Sequence, residues 1–351
     1  MTSIKRNSGL DYAKGFGILI VVLAHLWRGL GSAGIIPTDD LYYAVSSSCT
    51  MLSMPLFFFA SGLLYGRTAG RDSALNSISS KFDAIAYPYF IWSIIFWGVE
   101  LLFSPLKNTP TEPINLLTLL WQPRHIFWFL YALFASFVIA AMLVKFIGER
   151  NAKPAAIFTG LILLMLYPFK LRIFAANEIS MSFIYFAIGL FASSYFFQIN
   201  IKSNKAIAIG ATIATAMVIF TYHWIFKQRS FSYNSITPNA TLTTVVVLGL
   251  TLTAAMNFPE TGLAWLEKLG SRSMDIYLLH LLFVPSSRML ITKLLGAPTL
   301  GVYIFTGMLV GIGGPLITSN ILRKIGAGFL FAPPKALSMK ALAEHTKIAH
   351  P

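Results

Sequence analysis

Residues Asp11 to Leu30 read DYAKGFGILIVVLAHLWRGL. The run is apolar enough to enter a bilayer, yet it carries Asp11, Lys14, His25 and Arg28. Ionisable groups inside a membrane span are costly and by default mark a functional site. Their spacing sharpens the reading. At 3.6 residues per turn, Lys14 and His25 fall within about 20° of each other, and Asp11 lies about 40° from His25 on the same side. His25 and Arg28 form an i, i+3 pair. One stripe of the helix is therefore polar, and the rest is Ile, Leu, Val and Phe. Lys14 belongs near one interface and His25 roughly 16 Å further along the axis, within the hydrocarbon region. Such a stripe needs a bundle around it.

The composition supplies one. Of 351 residues, 56% are hydrophobic and 11% charged, and the mean hydropathy is +0.68, which no soluble domain of this size matches. The chain reads as a polytopic membrane protein, all-α. Its net charge of +14 would suggest nucleic acid in a soluble protein. Here Lys and Arg flank spans and set orientation, and no nucleic-acid partner is expected. The single Cys49 excludes an intrachain disulfide and any multi-cysteine metal site. Lys5 and Arg6 before an apolar run imitate a signal peptide. Lys14 and His25 interrupt that pattern, so the segment is expected to stay uncleaved.

Ten segments are long enough to span: 12–30, 42–65, 84–103, 125–147, 154–169, 179–198, 205–224, 239–257, 273–293 and 298–322. The fifth is the shortest. With the N-terminus inside, the inner segments hold 18 of the 27 basic residues and the outer ones 9. That ratio places both termini in the cytoplasm. The outer loops, 104–124 and 225–238 at their longest, are too short for a second domain. Residues 1–322 are thus expected to form the transmembrane domain, and 323–351 a loose basic cytoplasmic tail. No internal repeat is evident, which weighs against a transporter built on inverted halves.

Further motifs follow in order. Met54-Pro-Leu-Phe-Phe-Phe-Ala-Ser-Gly62 combines a kink at Pro55 with Gly62 and Gly66 at small-xxx-small spacing. It serves packing, or it shapes a site. Ser61 lacks the Gly-x-Ser-x-Gly setting of a nucleophile elbow. In Lys81-Phe-Asp-Ala-Ile-Ala-Tyr-Pro-Tyr-Phe-Ile-Trp92, Tyr87, Tyr89 and Trp92 fit an interfacial aromatic belt. Arg124, His125 and Trp128 cluster within about one helical turn and suit either a sugar or an interface anchor. Tyr277 and His280 are i, i+3 and share a face. His280 is the other histidine clearly inside a span, and a satisfied structural histidine is its ordinary fate. No Walker loop, Rossmann fingerprint or His-Glu-x-x-His zinc helix is present, and no metal site is expected.

These residues resemble a family. Asp11-Tyr-Ala-Lys-Gly-Phe-Gly-Ile-Leu-Ile-Val-Val-Leu-Ala-His25 resembles the opening motif of the acyltransferase family 3 membrane proteins: a basic residue, ten intervening residues, then histidine. Phe57-Phe-Phe-Ala-Ser-Gly62, Tyr87-Pro-Tyr-Phe-Ile-Trp92, Trp128-Phe-Leu-Tyr131 and Ser273-Met-Asp-Ile-Tyr-Leu-Leu-His280 resemble later blocks of that family, in the same order. The resemblance reaches to about Leu322 and points to the fucose-4-O-acetylase-like branch. Many relatives carry Arg where this chain has Lys14, which keeps the charge but not the bidentate fork. Many also carry a further extracytoplasmic hydrolase-like domain, so this chain is expected to act alone or with a separate partner.

The resemblance implies O-acyl transfer at a bacterial inner membrane. Acetyl would pass from acetyl-CoA, used as a substrate with no permanently bound cofactor, to a hydroxyl of a surface polysaccharide, lipooligosaccharide or lipid-linked sugar. The expected catalytic residues are His25 and Lys14. Asp11, Arg28, Ser61, Arg124, Trp128, Tyr277 and His280 are expected to bind acceptor or donor. The first, second, third, fourth and ninth spans are expected to enclose them. Histidine suits removal of a hydroxyl proton, and the alternative role for His25 is to carry the acyl group briefly; a cation at the cytoplasmic end suits CoA's phosphates. The alternatives are a transporter or flippase for a lipid-linked sugar or small solute, and a membrane scaffold.

Overall fold

The computed structural model describes residues 8–102, 116–169, 175–198, 203–226, 238–258, 263–296 and 298–348. Helices α1 (Ser8–Ser32), α2 (Asp40–Leu52) and α3 (Met54–Gly66) come first. Next, α4 (Ala74–Lys81) passes through a π turn, Phe82–Ala86, into α5 (Tyr87–Leu102). Then follow α6 (Trp128–Leu166), α7 (Ala176–Phe196), α8 (Lys205–Phe226) and α9 (Pro238–Asn257). The chain closes with α10 (Ala264–Ser271), α11 (Ser273–Leu295), α12 (Leu300–Lys324) and α13 (Met339–Ile348). There is no strand among the described residues, and nine helical runs there are long and apolar enough to cross a membrane. The all-α polytopic reading holds.

Nine runs replace ten segments because α6 joins the fourth and fifth. Its ladder breaks at Gly148 (φ 75°, ψ 159°), a left-handed φ that glycine adopts without a Cβ penalty. Arms 128–147 and 149–166 result. Each is long enough to span at 1.5 Å per residue, and Lys145, Arg150 and Lys153 gather at the break. The second span also breaks, at Ser53 beside Pro55, where α2 gives way to α3. Of the basic residues counted for orientation, Lys5, Arg6, Lys107, Lys170, Arg172, Lys202, Lys227 and Arg229 lie outside the described residues.

The chain forms two compact units. The first comprises Met1–Ala60 and Ile199–Ile321, the second Ser61–Gln198 and Leu322–Pro351. In the first, α1 is central. Ile18, Val22, Leu26 and Leu30 are all but fully buried. Small residues let the neighbours close in. A Cβ on Gly270 of α10 would stand 2.0 Å from the Asp11 carbonyl oxygen, and one on Gly15 would stand 2.1 Å from that of Leu266. On α12, Gly307 faces Leu26, and Gly311 faces Val22 of α1 and Val284 of α11. The fold thus puts α10, α11 and α12 against α1.

In the second unit, α3 lies on α7. A Cβ on Gly62 would meet the Phe186 carbonyl oxygen at 2.0 Å, and one on Gly66 would meet Ser193 Oγ at 2.0 Å. The small-xxx-small pair is a packing device. The aromatic-belt reading of Tyr89 and Trp92 is corrected. Both are buried, and they donate to backbone carbonyls, Tyr89 Oη to Leu119 (2.6 Å) and Trp92 Nε1 to Leu330 (2.8 Å). A buried hydroxyl or indole N–H needs an acceptor, and irregular backbone supplies one. The segment after Leu322, expected to be loose, makes specific contacts. Asp83 accepts from Ser338 Oγ (2.6 Å), Met339 N (2.9 Å) and Lys340 N (3.2 Å), capping α13 where a carboxylate is favoured.

Candidate active site

Helix α1 carries the polar stripe for the reason its sequence suggests. The helix packs against α2, α9, α10 and α11, with α12 approaching at Gly307 and Gly311, and the four ionisable residues lie along it. At its N-terminal end, Lys14 Nζ lies 2.6 Å from Asp11 Oδ1, and the two side chains are 22% and 7% exposed. Lys14 therefore enters the bundle with its counter-charge attached, and Asp11 reads first as its partner. Such pairing is what a carboxylate in an apolar environment requires.

His25 is half-buried, roughly 16 Å along the axis from Lys14. Its neighbour is His280 of α11, with ring centroids 5.0 Å apart and planes at 55°. Tyr277, one turn before His280, is buried with its ring 6.1 Å from the imidazole of His280. The structure thus brings His25 of the first span together with His280 and Tyr277, which the sequence placed on one face of the ninth. His280 itself is fully buried, with Nδ1 at 2.8 Å from the Tyr277 carbonyl oxygen and 3.1 Å from that of Ile276.

Arg28 is engaged by α2, donating to Thr50 Oγ1 (2.6 Å) and to the Ser46 carbonyl (3.2 Å). Sequence reasoning missed Arg288, whose Nη1 donates to the Gly29 carbonyl oxygen one residue beyond Arg28. It follows His280 by eight residues on the same helix, and nothing in the sequence says which helix α11 touches. Also missed was Arg272, which sits 2.6 Å from Asp275 and donates to Ser319 Oγ (3.0 Å) and Asn320 Oδ1 (2.8 Å). Ser61, Arg124 and Trp128 belong to the second unit. Ser61 begins that unit within α3. Arg124 precedes the 3₁₀ turn His125–Phe127 that leads into α6, and Trp128 opens α6 with its ring edge-on to Phe129.

A cavity of about 1160 Å³ also touches α1, lined by Phe16, Leu23, Val45, Ile219, Phe220 and Ala254 among others. At 100° per residue its α1 residues lie roughly opposite Lys14 and His25, so it is not the space in which their chemistry occurs. His223 borders it and shares hydrogen bonds with Ser48 Oγ (3.0 Å) and Ser47 Oγ (3.3 Å).

A helical bundle with paired charge and paired imidazoles within its spans defines a multi-pass membrane protein built around an embedded polar site. A family model describing an acyltransferase domain matches residues 7–332, and the chain belongs to this acyltransferase family 3. It is similar to the nodulation protein NolL of Mesorhizobium japonicum, 28% identical over 143 residues, 40% of this chain and 37% of that protein. It is also similar to the nodulation protein NolL of Sinorhizobium fredii, 24% identical over 238 residues, 66% of this chain and 60% of that protein. The chain thus spans less than two thirds of either relative's length. No solved structure matches.

Proposed function

We propose that the protein is an integral-membrane O-acetyltransferase of the inner membrane. It moves acetyl from acetyl-CoA to a hydroxyl of a cell-surface polysaccharide, lipooligosaccharide or lipid-linked sugar. The observation that carries this reading is the half-buried His25, set in the C-terminal half of a span whose N-terminal end holds the Lys14–Asp11 pair. The acyltransferase family supports it independently. The N-terminal end of α1 is read as cytoplasmic, where acetyl-CoA is found, and Lys14 offers its charge to the donor's phosphates.

In the reaction, a ring nitrogen of His25 takes the proton of the acceptor hydroxyl as its oxygen attacks the thioester carbonyl. The new C–O bond forms, the C–S bond breaks, and the leaving thiolate receives the proton from the His25 imidazolium. The products are the acetyl ester and free CoA thiol, and the imidazole is restored. Holding both substrates at one nitrogen supplies proximity, and the surrounding apolar spans exclude the water that would hydrolyse the thioester.

The test is transfer from acetyl-labelled acetyl-CoA in membranes at matched protein level. His25→Ala is expected to lose roughly 10² to 10⁴ in rate. His25→Gln, which hydrogen-bonds but cannot take a proton, is expected to be similarly poor. Ester formation by His25→Ala at the wild-type rate would overturn the assignment and bring the transporter reading forward.

A further inference from the structure

His280 has a more specific setting than apolar burial requires. Both partners of its Nδ1 are carbonyl oxygens, which only accept. Nδ1 therefore carries the ring proton, and the lone pair of the neutral imidazole sits on Nε2. That Nε2 is buried and has no hydrogen-bond partner. An unmet buried acceptor costs about 1 to 3 kcal/mol, so a purely structural role would favour an apolar side chain of similar shape here. What stands next to this ring is His25, 5.0 Å away between centroids. Two imidazoles joined edge to edge by an N–H···N bond of roughly 3 Å have centroids about 5 Å apart. The spacing is already that of a bonded pair. The planes stand at 55°, and histidine χ2 is a soft torsion through which the His25 ring can turn its edge to Nε2.

We infer that His280 is a positioning residue for His25. Its Nε2 accepts a hydrogen bond from the ring N–H of His25, which sets the tautomer of His25 and leaves the other nitrogen's lone pair free for the acceptor hydroxyl. The inference rests on His25 being the base proposed above. When His25 takes the hydroxyl proton, the N–H held by His280 belongs to a cation and its bond becomes charge-assisted, about twice as strong as a neutral one. Stabilisation thus grows as the transition state forms, which is the kind that raises kcat. The proton that His25 gained leaves from the nitrogen that took it, and the proton on His280 Nδ1 stays in place throughout.

Three substitutions test this in the full-length chain. His280→Leu keeps bulk and removes both nitrogens. His280→Asn keeps a polar atom near the Nδ1 position, and His280→Gln keeps one near the Nε2 position. Apparent kcat and KM are read from acetyl transfer in host membranes, with labelled acetyl-CoA as the donor. Loss of an orienting partner of this kind costs roughly 10- to 100-fold. His280→Leu is expected to lose that much in kcat with KM for acetyl-CoA within about twofold. His280→Gln is expected to recover most of the loss, and His280→Asn is not. If His280→Leu does not insert, the comparison of His280→Gln with His280→Asn decides. Wild-type kcat in His280→Leu, or equal activity in the Gln and Asn variants, would show a structural imidazole only and overturn the inference. An active His25→Ala would instead remove the reading beneath it, so the two failures are distinguishable.

Discussion

Lys14 and Asp11 link folding to the proposed function in a single ion pair. Asp11 is the more deeply buried of the two, and its carboxylate depends on the ammonium 2.6 Å away. Lys14→Ala removes the counter-charge of that carboxylate and is expected to cost up to about 3 to 5 kcal/mol, seen as a lower melting temperature of the detergent-solubilised protein. Lys14→Arg keeps the charge and is expected to retain the fold and part of the activity. The double variant Lys14→Met/Asp11→Asn is expected to recover most of the lost stability while acetyl-CoA KM stays raised. A double variant as unstable as Lys14→Ala would mean that the pair does not hold this end of α1. One with normal KM would take Lys14 away from the donor.

Helix contacts set by glycine give the element scale its sharpest expectation. Gly270 meets the Asp11 backbone, which cannot yield as a side-chain tip can. Gly270→Ala is expected to push α10 off α1 at a cost of about 1 to 3 kcal/mol. Gly313, on α12, has nothing within 4 Å of the Cβ position. Gly313→Ala is expected to be neutral, or to stabilise by up to about 1 kcal/mol through helix propensity. Thermal melts of the two variants side by side check this, and equal shifts would refute the packing account. In the second unit, Asp83→Ala removes the acceptor for three bonds at the start of α13. Limited proteolysis is expected to cut faster near Ser338 in that variant than in the wild type, because an uncapped helix end frays.

At the scale of the molecule, the distribution of basic residues carries the orientation. The 18-to-9 split motivates cytoplasmic ends and an outer first loop. A compartment-sensitive reporter fused after Pro351 is expected to read cytoplasm, and one inserted at Pro37 is expected to read the opposite side. The reverse pattern would invert the topology and move the donor end of α1 away from acetyl-CoA.

The sequence alone determined the all-α polytopic class, the rough limits of most spans, and the Lys14–His25 stripe. It could do so because these depend on hydropathy and on the 3.6-residue period, both local properties of the chain. Its family resemblance was borne out by a match over residues 7–332. Local properties do not say which helices touch. Helix α6 runs on through the fourth and fifth segments, so ten became nine runs, and its one interruption, at Gly148, depends on a positive φ that many glycines never adopt. Tyr89 and Trp92 have the composition of an interface belt, and only the presence of carbonyls from Leu119 and Leu330 makes them interior residues. His280 was legible as a histidine within a span. That it lies beside His25, with Nδ1 committed and Nε2 open, follows from packing α11 against α1 across about 250 residues of intervening chain, a pairing that no periodicity encodes.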